Sequence, residues 1–90
     1  MEIHVRALGI LRPMVTDSCI SLEEGSSVGK LMDVLMQRYG KALQEIALDP
    51  ETNQIHSFIC ILRNGTAVAD LNEELRLGDE VTLFIPVSGG

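Results

Sequence analysis

Hydrophobic and polar positions alternate from the start of the chain. Ile3, Val5 and Ala7 are interleaved with Glu2, His4 and Arg6, a period of two that predicts a strand with one buried face. Gly9 and Pro13 bracket a loop. Residues 14–22 read as a second strand, with Ile20 and Leu22 on one face and Cys19 on the other. The short connection makes the pair a hairpin. Beyond Glu23-Glu24-Gly25-Ser26-Ser27 the period changes. Val28, Leu31, Met32 and Leu35 follow i, i+3, i+4, i+7, the apolar stripe of a helix. Ser26 or Ser27 supplies its cap, and Gly40 its left-handed closing residue. A further helical turn is expected over 41–47 through Leu43 and Ile46, and residues 48–54 carry turn chemistry.

The second half returns to strand patterns. Residues 58–63 (FICILR) are strongly apolar and read as a central strand. Asn64-Gly65 follows, a tight hairpin turn because both positions tolerate positive φ. A short return strand is expected over 66–68, a single helical turn over 72–75 (NEEL), a turn at Gly78-Asp79, and a last strand over 80–86. In that strand Val81, Leu83 and Ile85 share one face, and Thr82, Phe84 and Pro86 the other. The order is β-β-α-β-β-β, an α+β chain with one main helix against a mixed sheet.

Composition narrows the function. Ninety residues with 46% hydrophobic positions make one globular domain. Aromatics are only 3%, so the core rests on Leu, Ile, Val and Met. A net charge of −6 disfavours a nucleic-acid backbone as partner. It suits a partner with a basic face, or solubility alone. Cys19 and Cys60 show no metal-ligand spacing and are expected as free thiols of a reducing cytoplasm. The first residues hold charges and no long apolar run, so neither a signal peptide nor a membrane span is expected.

The search for chemistry is an elimination. His4 and His56 read as lone surface histidines. No Gly-rich phosphate loop occurs, and nothing organises a nucleophile with a base. The acidic pairs Glu23-Glu24, Glu73-Glu74 and Asp79-Glu80 read as solvated turns or as helix-start charges. No active site is expected on the chain itself, and no metal. What is left is the ending, Phe84-Ile85-Pro86-Val87-Ser88-Gly89-Gly90. Read alone, two terminal glycines are either a frayed end or a functional tail.

Residues 75–90 (LRLGDEVTLFIPVSGG) resemble the C-terminal segment of the ubiquitin-like sulfur carriers, with a Gly-Asp-Glu-Val entry into the last strand and a Gly-Gly end. The Pro86-Val87-Ser88-Gly89-Gly90 ending is most similar to the small subunit of molybdopterin synthase. Arg63-Asn64-Gly65 and Ser27-Val28-Gly29-Lys30-Leu31 fit the same family. The resemblance spans the chain and is loosest across 41–56. It implies a ubiquitin-like β-grasp domain over 1–86, with the first and last strands parallel and central, and a flexible tail over 87–90. It implies that Gly90 is adenylated, then thiocarboxylated, by a ubiquitin-activating-like adenylyltransferase that binds the ATP, so the chain binds no cofactor. Gly89 would ease passage of the tail through a narrow channel. The sulfur would go to molybdopterin in the synthase large subunit. The alternatives are a carrier for thiazole, cysteine or tRNA thiolation, a protein modifier joined to lysines, or a β-grasp interaction domain with incidental glycines. Under these readings Phe84, Pro86, Val87, Ser88, Leu62 and Phe58 form the partner surface. Leu62, Cys60 and Phe58 share one parity and join Phe84 if the helix covers the Val81 face. Otherwise they pack under 41–56.

Overall fold

The alternation at the start of the chain becomes strand β1 (Glu2–Ala7), where Ile3, Val5 and Ala7 are buried and their neighbours exposed. The computed structural model describes residues 1–86. After β1 come a 3-10 turn (Gly9–Leu11), β2 (Ser18–Ser21), α1 (Val28–Ala47), β3 (Cys60–Arg63), β4 (Thr66–Ala67) and β5 (Glu80–Phe84). The strands form one sheet in the order β2-β1-β5-β3-β4. β1 and β5 are parallel and adjacent, the arrangement expected of a β-grasp sheet. Antiparallel partners flank them, β2 beside β1 and β3 beside β5.

One apolar layer joins sheet to helix. Ile3, Val5, Ile61, Val81 and Leu83 from the strands pack with Val28, Leu31, Met32 and Leu35 from α1 in a single core. Burial of each such side chain contributes roughly 1.5–3 kcal/mol. Gly40 interrupts α1 with φ 65° and ψ −144°. The helical turn expected over 41–47 is therefore the second of two helical stretches that meet at this glycine. Across the break, Gln44 Nε2 donates to the Met36 carbonyl at 3.1 Å.

The strands are shorter than the apolar runs suggest. Residues 14–17 are not strand, because the Met14 and Val15 amides donate back to the Leu11 carbonyl at 3.0 and 2.9 Å. Leu11 and Val15 thereby reach the core. Phe58 and Ile59 precede β3, since the Ile59 amide turns back to the His56 carbonyl. Val68 lies past β4, and Ile85 and Pro86 past β5.

The expected helical turn at 72–75 is absent. One of its carbonyls and that of the residue before it serve α1 instead: Val28 N donates to Glu73 O at 2.9 Å, and Gly29 N to Leu71 O at 2.8 Å. Ser27 Oγ accepts from Lys30 N at 3.1 Å. The otherwise orphaned amides at the helix start are thus satisfied. A Cβ on Gly29 would lie 3.2 Å from Leu71 O, so this close approach favours glycine.

Asp79 is not part of a solvated turn. It is 7% exposed, and its carboxylate joins three segments. Oδ2 accepts from Arg63 Nε at 2.7 Å and from Arg76 N at 2.8 Å, while Oδ1 accepts from Asn64 Nδ2 at 2.9 Å. Arg63 Nη1 also reaches Glu73 Oε2 at 3.2 Å, so Glu73 is not merely solvated either. Asn64 Oδ1 accepts from Glu80 N at 2.8 Å, and the Asp79 carbonyl accepts from His4 N at 2.9 Å. Burial pushes the Asp79 carboxyl upward, but the bonds from Asn64, Arg63 and the Arg76 amide outweigh it and hold it below its ordinary value of 3.8.

A folded value held low stabilises the fold above the ordinary carboxylate range and loses that contribution as pH falls through the folded value. Stability should therefore decline below about pH 4 in the native chain, and Asp79→Asn should flatten that decline. Asp79→Ala should cost about 2 kcal/mol or more in urea unfolding at pH 7, because three part-buried hydrogen bonds, one from a charged donor, lose their acceptor.

Candidate functional site

The buried side of β5 is set by Val81 and Leu83, so Thr82 and Phe84 face away from α1. Register brings the neighbours of that open face together. Phe84 lies opposite Cys60, and Thr82 opposite Leu62 on one side and Arg6 on the other. Leu62 in turn faces Ala67 of β4. Phe84, Cys60 and Leu62 are half-buried. Phe58, just before β3, is 45% exposed, and its ring stacks on His56 with centroids 4.4 Å apart and planes 21° off parallel. The parity assigned to Phe84, Leu62, Cys60 and Phe58 thus places an apolar patch on the open face.

Residues 41–47 do not cover this patch. They continue α1, and Leu43 and Ala47 pack into the core on the opposite side of the sheet. The segment after them is tied to the helix end by the Leu48–Ile55 bridge and by His56 N donating to Ala47 O at 2.8 Å. Leu8 joins the patch and was not anticipated. It is 41% exposed, and its amide donates to Leu83 O at 2.9 Å. Continuing the register from Ala7–Leu83 puts it level with Phe84. Its even parity with His4 and Arg6 is the sequence signal that marks it. Pro86 is exposed just past the strand. Val87, Ser88, Gly89 and Gly90 lie outside the described residues.

The other end of the open face is charged. His4 Nδ1 lies 3.4 Å from Glu80 Oε2, Arg6 Nη1 lies 3.7 Å from Glu80 Oε1, and Arg6 Nε lies 4.0 Å from Asp17 Oδ2. These groups are solvated, and such pairs contribute about 0–1 kcal/mol each. Their effect is to grade the face from apolar at Phe84 to ionic at Glu80. Among the described residues, no group of His, Cys, Asp or Glu side chains is arranged to hold a metal ion, and no helix is long and apolar enough to cross a membrane.

Comparison with known proteins adds the family. Residues 5–90 match the model of the ThiS family. The chain is 35% identical over 71 residues to small archaeal modifier protein 1 of Haloferax volcanii, covering 79% of this chain and 78% of the other. A crystal structure of SAMP1 from Haloferax volcanii superposes with TM-score 0.87 at 28% identity, over 100% of both chains. A Pyrococcus furiosus putative molybdopterin converting factor, subunit 1, matches with TM-score 0.75 at 27% identity, over 96% of this chain and 98% of the other. A chain in the Amycolatopsis orientalis BexX/CysO complex matches with TM-score 0.71 at 25% identity, over 98% and 99%.

Two neighbouring positions on β5 separate fold from surface. Phe84→Asp should leave a cooperative thermal transition and cost about 1 kcal/mol, the span of substitutions on a half-open strand face. Leu83→Asp should abolish the transition, because Leu83 is 1% exposed and a buried unpaired carboxylate is costly. Circular dichroism melts of the two variants check the assignment of faces.

Proposed function

Because the chain belongs to the ThiS family of ubiquitin-like sulfur carriers, we propose that Gly90 is its reacting residue and that the sulfur it carries goes to molybdopterin. The observation that carries this reading is the family match itself, which runs from residue 5 through Gly89-Gly90. A carboxylate is a poor electrophile. Attack of the Gly90 carboxylate on the α-phosphate of ATP, held by an adenylyltransferase, gives an acyl-adenylate and pyrophosphate. A persulfide donor then displaces AMP to give an acyl disulfide, and a second thiol attacks its S–S bond, leaving a thiocarboxylate at the terminus and the donor sulfur in a new disulfide. The chain is a small carrier protein in this scheme, and the nucleotide contacts belong to the activating enzyme.

The open face serves as the handle. Phe84 and Leu62, with Phe58 at the edge, offer apolar area to a large subunit and to the activating enzyme, and Pro86, Val87 and Ser88 lead toward the reacting end. Glycines at 89 and 90 admit the close approach of a narrow channel. The likeness to a putative molybdopterin converting factor subunit 1 supports molybdopterin as the destination. The Amycolatopsis match comes from a two-protein complex, which supports docking to a partner chain.

A second reading has its own support. The Haloferax relative at 35% identity is named a modifier, so Gly90 is also a candidate for isopeptide bonding to target lysines. Incubation with ATP, a ubiquitin-activating-like enzyme and a sulfide source distinguishes the outcomes by mass. Exchange of one oxygen for sulfur at Gly90 supports carriage, and a Gly90–lysine isopeptide supports modification.

Deleting Gly90 should abolish thiocarboxylation and leave the melting temperature nearly unchanged, since one residue spans at most about 3.6 Å and a misplacement near 1 Å already costs about a hundredfold in rate. Adenylation of the shortened chain at the native rate would remove the basis of the proposal. Phe84→Asp should weaken binding to the large subunit or activating enzyme by about 2 kcal/mol, as loss of an aromatic anchor does.

A further inference from the structure

Cys19, His4 and Glu80 occupy one row across three adjacent strands. His4 is paired with Cys19 on β2 and with Glu80 on β5, so all three side chains stand on the open face. The spacing of the β1–β2 pair follows from its hydrogen bonds. Met1 N donates to Leu22 O, and Leu22 N to Met1 O, at 2.6 and 2.8 Å. This reciprocal exchange fixes the alternation of the antiparallel ladder. Glu2–Ser21 is then a non-hydrogen-bonded pair, Ile3–Ile20 a hydrogen-bonded one, and His4–Cys19 again non-hydrogen-bonded. In agreement, the His4 amide points the other way, to Asp79 O. Non-hydrogen-bonded partners have Cα atoms only about 4.5 Å apart, with their side chains at closest approach. Glu80 holds the imidazole from the far side, with Oε2 3.4 Å from Nδ1. That contact leaves Nε2 as the nitrogen free to accept a proton. Cys19 is exposed, as a thiol meeting a solution reactant must be.

We propose that Cys19 is a base-assisted thiol site for low-molecular-weight disulfides, with His4 as its base and Glu80 positioning the imidazole. His4 takes the thiol proton, and the Cys19 thiolate attacks one sulfur of the disulfide. A new S–S bond forms as the old one breaks, the leaving thiolate takes a proton, and the disulfide is reduced as Cys19 becomes a mixed disulfide. The other charged groups on this face are Glu2, Arg6 and Asp17. Arg6 sits against both Glu80 and Asp17, so its charge is shared with carboxylates on either side. Cys60 is a half-buried thiol on the same face whose strand partner is Phe84 rather than a base, and the test removes it so that only Cys19 reacts. The site stands apart from the Gly90 chemistry and does not depend on it.

The test uses the full chain carrying Cys60→Ser, with oxidised glutathione as probe and mass spectrometry to locate the adduct. His4→Gln should slow adduct formation at Cys19 about tenfold at pH 7, less than the roughly 10²–10⁴ of general-base catalysis because thiols are strong nucleophiles that need less help than hydroxyls. The gap should close near pH 10, where free thiols ionise without help. Glu80→Gln should slow the reaction by a smaller factor at pH 7. Equal rates with and without His4→Gln, or a gap constant with pH, would each overturn the assignment.

Discussion

The Asp79 carboxylate is where the sheet is tied together. Arg63 and Asn64 of the hairpin and the Arg76 backbone converge on its oxygens, Asn64 in turn accepts from the start of β5, and the Asp79 carbonyl accepts from β1. An acid placed there must be ionised to accept every bond offered, and the donors supply the environment that keeps it so. Arg63 extends the tie to Glu73, whose carbonyl caps the start of α1. The register of β5 between its neighbours, and the seating of the helix, therefore share one small polar cluster. Removing the acid would leave the donors of Arg63, Asn64 and Arg76 without their shared acceptor and unfasten the hairpin from the segment before β5.

That register decides what each face of the sheet can do. Val81 and Leu83 are committed to the core, so Thr82, Phe84 and their cross-strand partners are free for contacts outside the domain. The open face is apolar toward Phe84, where the chain leaves β5, and ionic toward Glu80 at the other end. A partner that reads this gradient can dock in only one direction along the strands. Under the proposed function, that direction is what presents the chain end to an enzyme. The −6 net charge favours partners with a basic rim around an apolar centre.

Much of this was legible along the chain, because period and parity are local properties. The alternation over β1 and β5 identified which residues are buried, and the i, i+3, i+4, i+7 stripe identified the helix. Asn64-Gly65 marked its turn through backbone conformation, with φ 51° and 85°. What stayed hidden depends on distant partners. Asp79 looked like half of a solvated acidic pair because nothing nearby announces Arg63, sixteen residues away. NEEL has helical propensity, but its Glu73 carbonyl and the Leu71 carbonyl before it are drawn to the amides of Val28 and Gly29. His4 read as a lone surface histidine and Cys19 as a buried or half-exposed free thiol; Cys19 is exposed instead, and only the phase of the β1–β2 ladder sets the two side by side. Of the candidate site, the open-face parity was readable and its extent was not, since Leu8 enters through a strand register that continues past Ala7.

The parallel pairing of β1 with β5 has a kinetic side. The two strands at the centre of the sheet come from opposite ends of the described sequence, with His4 matched to Glu80 and Ala7 to Leu83. Their contact closes a loop that contains every other element, so it has to overcome most of the chain's closure entropy before it is rewarded. A hairpin of β1 and β2 and the helix can form early, but the central seam cannot. During synthesis the sheet remains open until β5 has emerged, and β1 must present an unpaired inner edge for that whole interval. The ionic residues interleaved along β1, Glu2, His4 and Arg6, leave that waiting edge poorly suited to pairing with another chain.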